Sequence, residues 1–315
     1  MVMAESKQQA EGAVRVTYYT DPGCSWAWGT EPKVRNLVWE FGERLAWRYV
    51  MGGLVGDMAV YAPALSGEGS GVAMAGYWRN VAAQTGMPAP DTLSRAYRST
   101  NPACLTVKAA ERQGQEIALR VLRRLRESIF VLGQPTDEPE MILYAVRGTA
   151  GLDLFHLAQD LEEPEVEEAY RSDWEETRSP NEFAMTLKDD SRPGAGKARF
   201  TEARWRYVFP TLIFRGPAGE RTVPGWQPYE AYLEAIEAVA PGATPTKSGP
   251  PTPRGLVVQY GTAATKEIEV VCDMTRDAAL EAMRALEKEG IVIAWPAGDE
   301  VLWMLPEEAQ ARGMD

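Results

Sequence analysis

From Val14 to Thr20 (VRVTYYT), β-branched and aromatic residues follow one another and stop at Asp21-Pro22-Gly23, a pattern that predicts a strand ending in a turn. Apolar positions then recur at helical spacing, at Val34, Leu37, Val38 and Phe41, and predict a helix over about Ser25 to Phe41 with Gly42 placed to end it. Leu45 to Val50 (LAWRYV) reads as a second strand broken by Gly52-Gly53, which completes a strand-helix-strand unit of parallel-sheet type.

Between about Tyr61 and Glu176 the pattern becomes helical, with long periodic stretches at Cys104 to Val131 and Glu138 to Thr149. Strand character returns at Val208 to Phe214 (VFPTLIF) and Arg221 to Val223, followed by a helix from about Pro228 to Val239. Ala240 to Gly255 is dense in Pro, Gly, Ser and Thr without periodicity and reads as a semi-stiff linker. Beyond it, Thr265 to Cys272 and the amphipathic Thr275 to Glu289, closed by Gly290, predict two helices. Ile291 to Trp295 pairs with Glu300 to Met304 across Pro296-Ala297-Gly298-Asp299, so helix, helix and hairpin suggest a winged-helix-like module. The chain has no internal repeat.

The 315 residues, 45% of them hydrophobic, can build a sizeable core. No run of roughly 18 apolar residues offers a membrane span, and the segment MVMAESKQQAEGAVRV lacks the apolar stretch of a secretory signal, so the expected location is cytoplasmic. A formal net charge of -12 argues against nucleic acid and anionic membrane surfaces as partners. From Pro251 onward there are 6 Lys and Arg against 12 Asp and Glu, and the second tail helix carries Asp277, Glu281, Glu287 and Glu289. Phosphate would be repelled, so the tail module is read as a packing or protein-contact unit. The single histidine, His156, sits on an amphipathic helix as a surface residue, which argues against metal sites and against Ser-His or Cys-His hydrolases.

Three cysteines, Cys24, Cys104 and Cys272, are too few and too scattered for a disulfide framework, so any that matters is expected to matter through reactivity. Cys272 reads as structural. Cys24 directly follows a strand and opens a helix, where unpaired backbone N–H groups and the helix dipole favour thiolate over thiol. A depressed pKa and an exposed nucleophile are expected there.

The run Asp21-Pro22-Gly23-Cys24-Ser25-Trp26-Ala27-Trp28, followed by Glu31-Pro32, resembles the active-site segment of the DsbA-like thioredoxin-fold family. The resemblance is to its cytoplasmic branches in particular, the FrnE-like dithiol oxidoreductases and the relatives that act as adaptors for the ClpXP protease. Thr100-Asn101-Pro102-Ala103-Cys104 is similar to the family's insertion-helix motif, Tyr207-Val208-Phe209-Pro210-Thr211 to its cis-proline segment, and Pro224-Gly225-Trp226 to the turn after the next strand. The likeness covers roughly Val14 to Val239. It implies an α/β, thioredoxin-like fold over residues 12–60 and 200–240, a large helical insertion over 61–199, a linker over 241–255 and the winged-helix-like module over 256–315. It also implies a cis Pro210 facing Cys24, a backbone edge on which extended polypeptide pairs, and a substrate cleft of Ser25, Trp26, Ala27, Trp28, Asn101, Phe209 and Thr211.

The family's redox motif is C-x-x-C, in which the second thiol resolves the mixed disulfide formed by the first. Here that position is Ala27, so a dithiol cycle between these two positions is excluded. Three readings remain: a monothiol route with glutathione as co-substrate, resolution by Cys104 near a second helix start, or partner binding without redox chemistry. The leading expectation is a thiol-disulfide oxidoreductase acting on protein or peptide thiols, with Cys24 as nucleophile and no resident cofactor or metal. Its rivals are a non-enzymatic adaptor and a glutathione-dependent isomerase or transferase. That last group usually carries Ser where this chain has Cys24.

Overall fold

The computed structural model describes residues 14–187 and 196–314. Residues 12 and 13, where the thioredoxin-like part is expected to begin, the segment read for a signal up to residue 13, and residues 188–195 of the expected insertion lie outside the described residues. The chain opens with β1 (Val14–Thr20), α1 (Ser25–Trp28), α2 (Glu31–Phe41) and β2 (Leu45–Met51). The helical insertion then runs through α3 (Met58–Tyr61), α4 (Ser70–Thr85), α5 (Asn101–Glu111), α6 (Gln115–Phe130), α7 (Pro139–Val146), α8 (Leu154–Asp160), α9 (Pro164–Thr177) and α10 (Glu182–Thr186). A small hairpin, β3 (Arg199–Thr201) and β4 (Arg204–Arg206), precedes β5 (Thr211–Gly216), β6 (Gly219–Pro224) and α11 (Tyr229–Val239). The C-terminal module comprises α12 (Pro253–Tyr260), β7 (Thr262–Ala264), α13 (Thr265–Val271), α14 (Arg276–Lys288), β8 (Ile293–Ala297), β9 (Glu300–Met304) and α15 (Pro306–Arg312).

The main sheet has the order β2-β1-β5-β6, with β1 parallel to β2 and antiparallel to β5, and β5 antiparallel to β6. Alternate residues serve opposite faces, as the pleat requires. Val16, Tyr18, Leu212 and Phe214 pack with Leu37 and Phe41 of α2 and Ile236 of α11, whereas Tyr19, Val50 and Ile213 close on the other face around Cys24 and Ala27. The sheet is therefore buried on both sides, in keeping with the nearly continuous burial of β1 and of the first four residues of β5.

Several boundaries differ from the sequence expectation for local reasons. The helix expected over Ser25 to Phe41 is two helices. Pro32, which cannot donate a helical hydrogen bond, is tolerated only in the first turn, so a new helix starts at Glu31. The stretch Cys104 to Val131 is likewise split before α6 by Gly114, whose φ of 131° no side chain readily adopts. Strand β5 begins at Thr211 rather than at Val208, because Pro210 occupies a cis bend immediately before it. In the tail, Pro253 at the first turn opens α12 inside the expected linker, and Thr262–Ala264 adds a third strand in the order β7-β9-β8. Pro296 lies in β8, an edge strand, where a missing N–H is cheap. The described residues contain no helix long and apolar enough to cross a membrane.

Candidate functional site

The turn after β1 is built by Asp21. Its Oδ1 accepts the amide of Gly23 at 2.7 Å, an Asx turn that delivers Cys24 to the start of α1. Its Oδ2 is a hub for two other segments: it accepts the Leu54 amide at 2.6 Å and, from the start of α5, the Thr100 hydroxyl at 2.9 Å and the Cys104 thiol at 3.3 Å. Burial pushes the Asp21 carboxyl up, against the pull of these donors. Sequence reasoning passed over this residue, although an aspartate directly before Pro-Gly is the signal for such a turn.

Cys24 stands where the motif puts it but not as an exposed nucleophile. Only 4% of its surface is accessible, and its thiol donates to the carbonyl of Phe209 at 3.3 Å. Burial pushes its pKa up to about 11, Asp21 adds to the rise, and the amides of Ala27 and Trp26 with Arg126 work against it. The expectation of a depressed pKa is thus corrected: α1 has only four residues, and its few free N–H groups do not offset the loss of water.

Phe209-Pro210 is cis. In the loop around it, the carbonyl of Val208 accepts the Thr211 hydroxyl at 2.7 Å, that of Phe209 the Cys24 thiol, and that of Pro210 the Gly225 amide at 2.7 Å. Thr211, paired between Tyr19 and Pro224, and Phe209, packed against Gly52, are both buried.

Of the other expected cleft residues, Ser25 and Ala27 are buried, and Ala27 faces Tyr19 and Ile213. Trp28 is a core residue rather than a cleft residue: it is stacked on Phe130, it lies beneath the Arg123 guanidinium, and its Nε1 donates to the Pro88 carbonyl at 2.8 Å. Asn101 is half-buried and accepts the Tyr170 hydroxyl at 2.7 Å. Trp26 remains partly open. Its Nε1 donates to the hydroxyl of Tyr77, and its ring lies 5.9 Å from that of Trp226, which in turn carries Lys33 over its face. Trp26, Tyr77 and Trp226 thus form an aromatic rim beside the buried thiol.

Cys104, the candidate resolving thiol, is fully buried on α5 and bonded to Asp21. Burial and then Asp21 hold its pKa well above the usual thiol range. All three cysteines are free. Cys272 caps α13 in the core of the C-terminal module. His156 pairs through Nδ1 with Asp153 at 2.8 Å on an exposed turn of α8. Among the described residues no cluster of His, Cys, Asp and Glu could hold a metal ion.

A cysteine at the first turn after β1, a cis proline opposite it and a helical insertion between the two halves of the sheet define a DsbA-like thioredoxin-fold protein, here with alanine in place of the second thiol. Residues 18–181 match the family model described as Thioredoxin, and the chain belongs to that family. It is 26% identical, over 93% of its length and 89% of the relative's, to a protein of Shouchella clausii (strain KSM-K16) named ClpXP adapter protein SpxH. A protein of the same name from Halalkalibacterium halodurans is also 26% identical, over 90% of this chain and 85% of the relative. Among solved structures, a Nitrosomonas europaea protein assigned as a disulfide isomerase superposes with a TM-score of 0.53 at 16% identity, covering 71% of this chain and 96% of its own.

Proposed function

We propose that this chain is a protein-binding adaptor that presents client proteins to the ClpXP protease, on a redox scaffold whose thiol has become structural. The observation that carries the reading is the Cys24 thiol itself, buried, bonded to the Phe209 carbonyl and placed two residues before Trp26 and three before Ala27, where a resolving thiol would stand. The adapter name carried by relatives that match along about nine tenths of the chain supports it. The aromatic rim of Trp26, Tyr77 and Trp226 offers a surface on which a client segment can bury apolar area. The reading places the protein in the cytoplasm with proteins, not nucleic acid, as partners.

Monothiol exchange is the second reading, favoured by the position of Cys24 against the cis-proline loop. The Cys24 thiolate would attack a client disulfide, expel one client thiolate and leave a mixed disulfide for the glutathione thiolate to cleave. A genetic complementation separates the two. In cells lacking this chain, a set of ClpXP clients is expected to be stabilised, and Cys24→Ser is expected to restore their turnover as fully as the wild type. Restoration by the wild type alone, together with glutathione adducts at Cys24, would replace the adaptor reading by the monothiol one.

A further inference from the structure

Lys33, in the first turn of α2, reaches the aromatic rim of Trp26, Tyr77 and Trp226. Its Nζ lies 3.9 Å from the centre of the Trp226 ring and donates to the carbonyl of Gln227. The Trp226 ring is itself held, since its Nε1 donates to the Gly29 carbonyl at 3.0 Å, and the tilted ring of Trp26 stands 5.9 Å away. Trp26 is fixed in turn by its bond to Tyr77 at 3.2 Å. The ammonium is thus placed by the turn between β6 and α11 rather than left free in solvent.

An ammonium has three N–H donors. Gln227 takes one and the face of Trp226 a second, so the third is unspent among the described residues. None of those residues brings a carboxylate oxygen within 4.0 Å of this Nζ. Glu230, exposed in the first turn of α11, acts on it only from beyond that distance. The other charge that faces it, Lys266 of α13, is already paired with Glu269 at 2.9 Å. Burial, opposed by Glu230 and aided by Lys266, brings the Lys33 amine down to about 8. The half-buried Lys108 of α5 shows the contrast: it is paired with Glu111 at 2.6 Å and Asp173 at 3.2 Å, and its amine is raised. Lys33 is a half-buried cation in an aromatic setting with no such partner.

We propose that Lys33 makes the rim selective for acidic client segments: an apolar client side chain packs on the Trp26 and Trp226 rings, and a Glu or Asp beside it accepts the unspent N–H of Lys33. This inference deepens the adaptor reading and rests on it. The rings alone would take any apolar segment, whereas the cation beside them favours a segment that brings a carboxylate. A carboxylate seated there compensates a charge that is already partly out of water, and a charge-assisted bond closed off by the client is worth more than an ion pair in full solvent.

Isothermal titration of the full chain with two capped peptides, acetyl-Leu-Trp-Glu-Leu-amide and its Gln counterpart, tests it. At neutral pH the Glu peptide is expected to bind at least about fivefold more tightly, and Lys33→Met is expected to remove the difference by weakening the Glu peptide alone. A bound carboxylate raises the Lys33 amine above its free value of about 8, so at a pH just above that value the Glu peptide is expected to take up a proton on binding, and to weaken as pH rises further. The uptake is read by repeating the titration in two buffers of different ionisation enthalpy. Lys33→Arg, which stays charged, is expected to keep the preference for Glu and to lose the uptake, a split that a merely structural role for Lys33 does not give. Equal binding of the two peptides to the wild type, or a Glu preference that survives in Lys33→Met, overturns the proposal and leaves the rim as a client site. Failure of both peptides to bind at millimolar concentration overturns it together with the rim as a docking surface.

Discussion

At Cys24 two effects oppose each other, and their sizes decide the chemistry. A helix start favours the thiolate, but burial of the sulfur with Asp21 nearby disfavours it more, and the thiol is pushed up to about 11. At neutral pH the thiolate fraction is then about 100-fold lower than for a thiol titrating at 9.0. Iodoacetamide labelling of the native protein followed against pH is expected to show a midpoint near 11 for Cys24. A midpoint at or below about 8.5 would restore the nucleophile. The sign for stability follows: a thiol with a raised folded-state pKa contributes fully below its unfolded value, and the contribution is lost as pH rises through the folded value, here in the alkaline range up to about 11. Ala27 gives the complementary test. It is wholly buried beside Cys24 and Ile213, so Ala27→Cys is expected to overpack the site by about 1–3 kcal/mol. The variant is also expected to form an internal 24–27 disulfide and gain insulin-reductase activity, with the wild type at background, because a nearby resolving thiol has a large effective concentration. A folded variant with two free thiols under oxidising conditions would show that the scaffold no longer supports dithiol chemistry.

At the scale of elements, the strands and helices that bury an apolar stripe were legible in the sequence: β1, β2, α11 and α14 lie close to their expected bounds. What was not legible depends on contacts between distant segments. The approach of Phe209 to Cys24 came from the resemblance and not from any local pattern, and nothing near Cys24 in sequence announces that Tyr97 and Thr100 will close on the turn of residues 21–23. Yet the Tyr97 hydroxyl donates to the Gly23 carbonyl at 3.0 Å, and Thr100 reaches Asp21. The short β3–β4 hairpin and β7 have too few residues for a periodic signal, and Trp28 in the motif looked like a rim residue until Phe130 and Pro88 enclosed it. The loop that carries Pro210 is held in the same non-local way. A Cβ on Gly52, at the end of β2, would lie 2.0 Å from the Phe209 ring, which Arg206 covers from another side at 4.9 Å, so the ring cannot simply rotate away. Gly52→Ala is therefore expected to cost about 1–3 kcal/mol in urea unfolding and to expose Cys24 to alkylation at neutral pH. Unchanged stability with unchanged labelling would mean that the loop is not what seals the thiol.

At the scale of the molecule, the C-terminal module is joined to the rest by apolar contact and by reciprocal buried ion pairs. Ala264, Leu302 and Met304 share a core with Trp28, Trp78 and Phe130. Glu267 of the module lies between Arg35 and Arg123, while Glu127 of α6 receives Arg312 of the module at 2.6 Å and the Thr262 hydroxyl at 2.6 Å. Burial alone would raise the Glu127 carboxyl, but Arg312 and Arg123 outweigh it and hold it well below the usual range. A group with a depressed folded-state pKa contributes its stability above the unfolded value of about 4.5, and that stability is lost as pH falls below it. Acid is thus expected to release the module before the main sheet unfolds, detected as hydrogen exchange of α13 and β9 rising at a higher pH than exchange of β1 and β5. Salt is expected to have little effect on the release, since these charges are shielded from solvent ions. Glu267→Ala removes the shared partner of two buried arginines and is expected to cost about 3–5 kcal/mol, the penalty of uncompensated charge. In that variant the module should exchange early even at neutral pH. If β1 and α13 lose protection together, in acid and in Glu267→Ala alike, the module and the sheet form one cooperative unit and the ion pairs do not act as a separable latch.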